Sequence, residues 1–136
     1  MRNVLVSGGS GFIGSNIVSL LQKKKYNVTV LDKKRPKNLN VKFIKSDLSN
    51  LQKLIKITKK IDYIFHLAGV SDINKVKKIP TITIKDNIIS MTNLLESAKV
   101  NKTKRFIFAS SIYAHGNSGN LYTTSKIAAE NIIKNY

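Results

Sequence analysis

Glycines near the start of the chain have the spacing of a phosphate-binding turn. Gly8, Gly11 and Gly14 recur at every third residue between an apolar strand pattern and a helical pattern, and Gly9, Gly11 and Gly14 also satisfy G-x-G-x-x-G. In either register glycine permits a tight turn and lets a pyrophosphate approach backbone N–H groups, while the helix start supplies partial positive charge. The turn therefore predicts a site for the phosphates of a dinucleotide.

An acidic residue stands at the end of the second predicted strand. Asp32 follows the apolar run 27–31, eighteen residues after Gly14. A carboxylate there can accept hydrogen bonds from both hydroxyls of an adenosine ribose, and it repels a 2′-phosphate. The next residues, Lys33, Lys34 and Arg35, are cations that could hold such a phosphate. The sequence favours NAD as the cofactor, with NADP as the alternative.

The elements that position these residues follow from hydrophobic periodicity. Strands are predicted over residues 4–7, 27–31, 41–46, 63–67 and 105–109, and a polar loop over 33–40. Helices are predicted over 12–22, around 51–60, for about 18 residues after Pro80, and over 122–136. Apolar strands that alternate with helices indicate a parallel sheet covered on both faces. The predicted fold is α/β: a doubly wound parallel sheet of about five strands.

Length and composition limit the class of protein. The chain has 136 residues, of which 42% are hydrophobic, so it can bury the core of one compact domain. It has no apolar run near 18 residues and no signal peptide pattern, which predicts a cytoplasmic protein without a membrane partner. It contains no cysteine, which excludes disulfides and thiolate metal sites.

A formal net charge of +17 makes nucleic acid a partner to consider. The lysines are distributed along the chain, mostly at the ends or on the polar faces of predicted helices, and are not interleaved with aromatic residues. This pattern favours a solvated surface, with nucleic-acid binding limited to non-specific charge attraction.

Further motifs occur in a fixed order along the whole chain. They are Ser-Gly-Gly-Ser-Gly-Phe-Ile-Gly at 7–14, Asp47-Leu48, His66-Leu67-Ala68-Gly69, Asn87, Ala109-Ser110-Ser111 and the Y-x-x-x-K pair of Tyr122 and Lys126. With these motifs the sequence resembles the extended short-chain dehydrogenase/reductases, the NAD-dependent nucleotide-sugar epimerases and dehydratases. The resemblance implies a Rossmann-like fold and transient hydride transfer to the nicotinamide from a nucleotide-sugar.

The resemblance also implies roles for individual residues. Tyr122 would remove a proton from a sugar hydroxyl, Ser111 would hydrogen-bond the same oxygen, and Lys126 would favour the phenolate and hold the nicotinamide ribose. Tyr122 and Lys126 are four residues apart and share one face of a helix. The implied cofactor contacts are Gly8, Gly11, Phe12, Ile13, Gly14, Asp32, Asp47, Leu48, Leu67, Ala68, Gly69, Asn87, Tyr122 and Lys126.

The chain departs from the family in three places. Only ten residues separate Ser111 from Tyr122, whereas relatives with nucleotide-sugar substrates usually have a longer insert there. The family's Tyr-Gly after the serine motif is His115-Gly116 here, and the chain ends at Tyr136, whereas relatives continue into a C-terminal substrate-binding part. We therefore expect residues 1–136 to form an NAD(P)-binding domain that lacks this part and turns over little alone. The resemblance also implies a homodimer through the last helices. His66 and His115 lack ligand-like spacing, so we expect structural roles and no metal.

Two other functions fit the same sequence. A non-enzymatic dinucleotide sensor or scaffold would tolerate replacement of Ser111, Tyr122 and Lys126. A basic nucleic-acid-binding domain would bind in a steeply salt-dependent manner that does not depend on Asp32.

Overall fold

The computed structural model describes residues 1–37, 40–115 and 119–136. Its strands are β1 (Asn3–Ser7), β2 (Asn27–Asp32), β3 (Lys42–Lys45), β4 (Tyr63–His66) and β5 (Arg105–Phe108). Within the described residues they form one sheet in the order β3-β2-β1-β4-β5, and every neighbouring pair is parallel. The predicted five-stranded parallel sheet is confirmed. Of the predicted loop 33–40, residues 38 and 39 lie outside the described residues.

Helices lie between β1 and β2, between β3 and β4, between β4 and β5, and after β5. They are α1 (Phe12–Lys23), α2 (Leu51–Thr58), α3 (Ile73–Lys78), α4 (Pro80–Ile84), α5 (Ser90–Val100) and α6 (Leu121–Ile133), with a π-helical turn at Lys85–Ile89 and a 3₁₀ turn at Ile112–His115. None of the helices in the described part of the chain has the length and apolarity needed to cross a membrane.

Three helical predictions need correction. The sequence did not predict α3, because Val76 is the one buried residue of this helix and a single residue gives no helical repeat of apolar positions. The Asp72 carboxylate caps α3 by accepting hydrogen bonds from the N–H groups of Asn74 and Lys75. Pro80 does not precede the long helix but occupies its first turn, where its missing N–H costs nothing. The last helix ends at Ile133, before the predicted end at Tyr136.

The long helix contains a π-helical turn that the spacing of its apolar residues did not predict. Residues Pro80 to Val100 are continuously helical, but Lys85–Ile89 forms a π turn around the buried side chain of Asn87. A π turn accommodates one extra residue and commonly lies near a functional site.

Helices cover both faces of the central strands β2, β1 and β4, as the apolar strands predicted, whereas the described residues of the edge strands β3 and β5 are half-buried or exposed. Successive residues of β1 point to opposite faces. One face packs on α2 and α5 through Leu5, Leu31, Leu54, Ile64 and Leu94. The other face packs on α1 through Val4, Val6, Val18, Leu21, Val28 and Val30. A third cluster joins α5 to α6 through Met91, Leu95 and Ala129, beside Phe106 and Phe108 of the edge strand β5.

The strand order places a crevice at one end of the sheet. β1 is central, with Val6 beside Val30 of β2 on one side and Phe65 of β4 on the other. The chain adds β2 and β3 on one side of β1 and then β4 and β5 on the other side. The connections that follow β1 and β4 therefore run toward opposite edges of the sheet. In open α/β sheets this arrangement leaves a ligand-binding crevice beyond the carboxyl ends of the two strands.

The tight packing of the glycine turn predicts unequal effects of two substitutions. A Cβ at Gly14 would lie 2.2 Å from the Gly8 carbonyl oxygen, so Gly14→Ala should destabilise the fold by about 1–3 kcal/mol despite the better helix propensity of alanine. A Cβ at Gly11 would lie at an ordinary 3.4 Å from the same oxygen, so Gly11→Ser at this N-cap should change stability by no more than about 0.5 kcal/mol. Urea denaturation measures both values, and equal losses would contradict this account.

Candidate functional site

A cleft of about 620 Å³ lies beyond the carboxyl ends of the central strands. Its volume is within the ordinary range for small-molecule and cofactor sites. The sequence-predicted residues that line it are Gly8, Gly11, Phe12, Ile13, Gly14, Asp32, Asp47, Leu48, Leu67, Ala68 and Gly69. Lys33 and Lys34, the two cations after Asp32 that could hold a 2′-phosphate, also line the cleft. The remaining lining residues, for which the sequence predicted no contact with the cofactor, are Ser10, Leu31, Ser46, Ser71, Asp86, Ser90 and Ala109.

The glycine turn forms the floor of the cleft and packs directly against the segment that follows β4. Gly8 has a φ of +74°, and a Cβ there would lie 2.5 Å from the Ala68 nitrogen. Its N–H donates to the Leu31 carbonyl oxygen at 3.0 Å, and its own carbonyl accepts the Gly11 N–H at 3.1 Å. These contacts fix where α1 begins relative to β2 and β4.

The first turn of α1 offers unpaired donors to this cleft. Gly11, in an extended conformation, is the N-cap, and no side chain in the described part of the chain caps the helix. The N–H groups of Phe12, Ile13 and Gly14 belong to a first helical turn, which has no intrahelical acceptors. Together with the helix dipole, these donors suit a bound phosphate.

Asp32 is held in place at the end of β2. One carboxylate oxygen accepts the Ser10 N–H at 3.0 Å, and the other accepts the Lys34 N–H at 3.3 Å. The Ser10 hydroxyl also donates to the Lys34 carbonyl oxygen. The carboxylate therefore joins the glycine turn to the start of the loop after β2 and lines the same cleft.

Asp47 and Leu48 line a different part of the cleft wall. The Ser49 hydroxyl donates to the Asp47 carboxylate at 2.6 Å and, with the Ser49 N–H, lowers the pKa of Asp47. Leu48 is buried and has a φ of +63°, which is uncommon outside glycine. The Asn93 side chain stabilises this turn by donating to the Leu48 carbonyl oxygen at 3.2 Å.

Asn87 does not line the cleft but supports its wall from behind. Its side-chain oxygen accepts the Val70 N–H at 2.7 Å, and its amide nitrogen donates to the Val70 carbonyl oxygen and the Ser125 hydroxyl, each at 3.0 Å. The amide oxygen and both amide hydrogens of Asn87 are therefore engaged in hydrogen bonds within the protein. Asn87 joins the segment after β4 to α6.

Tyr122 and Lys126 are buried on α6 behind the end of β5. The Lys126 ammonium donates to the Ala109 carbonyl oxygen at 2.8 Å and lies 4.7 Å from the centre of the Phe108 ring and 5.7 Å from that of Tyr122. Burial lowers the pKa of Lys126. The structure therefore places the tyrosine and the lysine together, and Ala109 connects them to the cleft that it lines.

The serine motif is less closely joined to this pair. The Ser111 hydroxyl accepts the Tyr113 N–H at 3.3 Å, and the Ser110 hydroxyl donates to the Glu130 carboxylate. Among the described residues no hydrogen bond joins Ser111 to Tyr122, and neither residue lines the cleft. Gly116 lies outside the described residues.

His66 is buried at the end of β4. Its Nδ1 pairs with the Ser7 hydroxyl at 2.6 Å, and its Nε2 has no partner within the described structure. Burial, with a smaller contribution from the Lys126 ammonium, lowers the pKa of His66 to about 3. His115 is exposed and lies 3.7 Å from the Glu130 carboxylate. Across residues 1–37, 40–115 and 119–136, no group of three or more His, Asp or Glu side chains is placed to hold a metal ion.

The parallel sheet, its switch-point cleft and the glycine turn define a doubly wound protein of the Rossmann-like class. Residues 4–136 match the family described as the NAD dependent epimerase/dehydratase family, and the chain belongs to it.

Individual relatives agree with this assignment. The chain is 30% identical to a dTDP-D-glucose 4,6-dehydratase of Dictyostelium discoideum, a match that spans 100% of this chain and 40% of that protein. A solved UDP-glucose 4-epimerase from Brucella ovis in complex with NAD superposes with a TM-score of 0.92 at 25% identity, over 100% of this chain and 48% of that one.

A second solved structure is a UDP-N-acetylglucosamine 4-epimerase from Methanobrevibacter ruminantium M1 in complex with UDP-N-acetylmuramic acid. It gives a TM-score of 0.87 at 31% identity, over 98% of this chain and 50% of that one. The chain therefore spans about half the length of the solved epimerases it matches.

The buried histidine predicts a loss of stability in acid. Unfolded histidine takes up a proton near pH 6.5, whereas folded His66 stays neutral down to about pH 3, so the unfolded state binds more protons between these values. Stability due to this group is fully present above pH 6.5 and decreases as the pH falls, by up to about 5 kcal/mol near pH 3.

Denaturation of a Ser7→Ala/His66→Phe variant should show a smaller loss of stability between pH 6.5 and 4 than the wild type, since it removes this histidine without leaving a hydroxyl unpaired. His115→Gln is the matched control, because that side chain is 72% exposed, and it should keep the wild-type acid loss. The same acid loss in the His66 variant and the wild type would show that His66 is not the group responsible.

Proposed function

We propose that this chain is the NAD-binding domain, residues 1–136, of an NAD-dependent epimerase or dehydratase that acts on a nucleotide-sugar. One observation carries the proposal: the first-turn N–H groups of α1, which no side chain caps in the described part of the chain, and the oriented carboxylate of Asp32 line one cleft at the switch point of the sheet. A dinucleotide needs donors for its pyrophosphate and an acceptor for its ribose hydroxyls, and these features supply both.

The residues present fit the cofactor along its length. Gly11 leaves room for the pyrophosphate, because no Cβ projects from the N-cap of α1. Asp32 would accept the adenosine ribose hydroxyls, while Asp47 and Leu48 would line the adenine site. Leu67, Ala68 and Gly69 would border the path toward Ala109 and the buried pair behind it.

NAD supplies a hydride acceptor when it is bound. As a phenolate, Tyr122 would accept the proton of a sugar hydroxyl and become a phenol, and Ser111 would hydrogen-bond the same sugar oxygen. The ammonium of Lys126 lies 5.7 Å from the centre of the Tyr122 ring. Among the described residues this ammonium donates a hydrogen bond only to Ala109, so its remaining N–H donors suit the hydroxyls of a ribose.

The nucleotide-sugar is supported by the relatives. Their names give dTDP-D-glucose and UDP-glucose, and one solved structure holds UDP-N-acetylmuramic acid. A cytoplasmic location, a homodimer through the last helices, and the weakness of any nucleic-acid binding remain predictions.

Removal of one carboxylate tests the cofactor assignment. Asp32→Ala should weaken NAD binding by about ten- to a hundredfold, because hydrogen bonds to a charged group contribute about 1.5–3 kcal/mol. Calorimetric titration of the wild type and the variant measures this at moderate salt. Asp62→Ala is the matched control, since Asp62 precedes β4 at the opposite end of the sheet and pairs with Lys104 at 2.8 Å.

The control should keep the wild-type affinity for NAD. Circular dichroism verifies that Asp32→Ala is folded, since that carboxylate also accepts the Ser10 and Lys34 N–H groups. A folded Asp32→Ala chain with unchanged affinity, or a folded wild-type chain that does not bind NAD, would refute the proposed function.

A further inference from the structure

An ion pair closes one edge of the cleft between two distant parts of the chain. The Lys33 ammonium, just after β2, lies 2.7 Å from the carboxylate of Asp86 in the π-helical turn. Both residues line the cleft together with Asp32. The Asp86 side chain is only 15% exposed, whereas that of Lys33 is 56% exposed.

This ion pair limits which of the three cations after Asp32 can contact a 2′-phosphate. Three neighbouring cations could hold a 2′-phosphate, but Lys33 is paired with Asp86, and the Arg35 guanidinium lies 5.4 Å above the centre of the Phe43 ring. Lys34 lines the cleft, and the described residues show no ion pair for its side chain. Two of the three cations are therefore engaged within the protein.

We propose that Asp86 is a specificity-determining residue that disfavours a 2′-phosphate by withdrawing Lys33 from it. This inference rests on the proposed binding of NAD in the cleft. Two effects of the Asp86 carboxylate act in the same direction. It occupies the ammonium that a 2′-phosphate would need, and it adds a negative charge to a cleft wall that already carries Asp32 and Asp47.

Replacing the carboxylate with its neutral isostere isolates these effects. In Asp86→Asn the Lys33 ammonium loses its ion-pair partner, so it can contact a 2′-phosphate together with Lys34. The dissociation constant for NADP relative to that for NAD should fall about two- to fivefold, as expected for a charge contact made by a partly exposed lysine. Calorimetric titration of the chain with each dinucleotide gives the ratio. The effect should shrink as salt is raised, because exposed charges are screened.

Two further variants distinguish the effect of breaking the Lys33–Asp86 pair from the effect of removing one negative charge from the protein. Lys33→Gln/Asp86→Asn should lose most of the gain in NADP affinity, since the released ammonium is absent. Asp62→Asn removes the same charge and also breaks a pair with a lysine, but at the other end of the sheet, so it should keep the wild-type ratio.

The outcomes distinguish this inference from the proposed function. An Asp86→Asn ratio equal to that of the wild type, a gain that persists in the double variant, or an equal gain in Asp62→Asn would each overturn the role of Asp86 while NAD binding stands. A folded wild-type chain that binds neither dinucleotide would overturn the proposed function and this inference with it.

Discussion

The contact between the glycine turn and the segment after β4 determines the geometry of the site. Gly8 adopts a positive φ with its Cα against Ala68, and Gly14 lies so close to the Gly8 carbonyl that no side chain fits between them. Since the Gly8 N–H is also bonded to Leu31, the ends of three central strands and the start of α1 are positioned by one turn. The positions of the first N–H groups of α1, the Asp32 carboxylate and the cleft wall all depend on it.

A second set of contacts positions the residues behind the cleft. Asn87 hydrogen-bonds both Val70 and Ser125, and Lys126 donates to Ala109, so the segment after β4, the π turn, α6 and the end of β5 are joined by buried polar groups. Hydrogen bonds between buried groups of separate elements favour a single arrangement of those elements. They explain how Tyr122 and Lys126 are fixed together although neither lines the cleft.

Local and periodic features were predictable from the sequence, whereas long-range pairings were not. Strand patterns, the glycine spacing and Asp32 each depend on residues close in sequence, and they predicted the sheet and much of the cleft lining. The Lys33–Asp86 pair joins residues 53 positions apart, which no spacing pattern indicates. Sequence also could not tell the two serine hydroxyls apart, because the Ser110 contact with Glu130 depends on how α6 packs beside β5.

The most direct test of this account is a backbone amide NMR titration of the chain with NAD. The largest shift changes should occur at Phe12, Ile13 and Gly14, whose N–H groups begin α1, and at Ser10, whose N–H donates to Asp32. Shift changes spread over the lysine-rich surface and abolished by salt, with no change at the start of α1, would contradict this prediction.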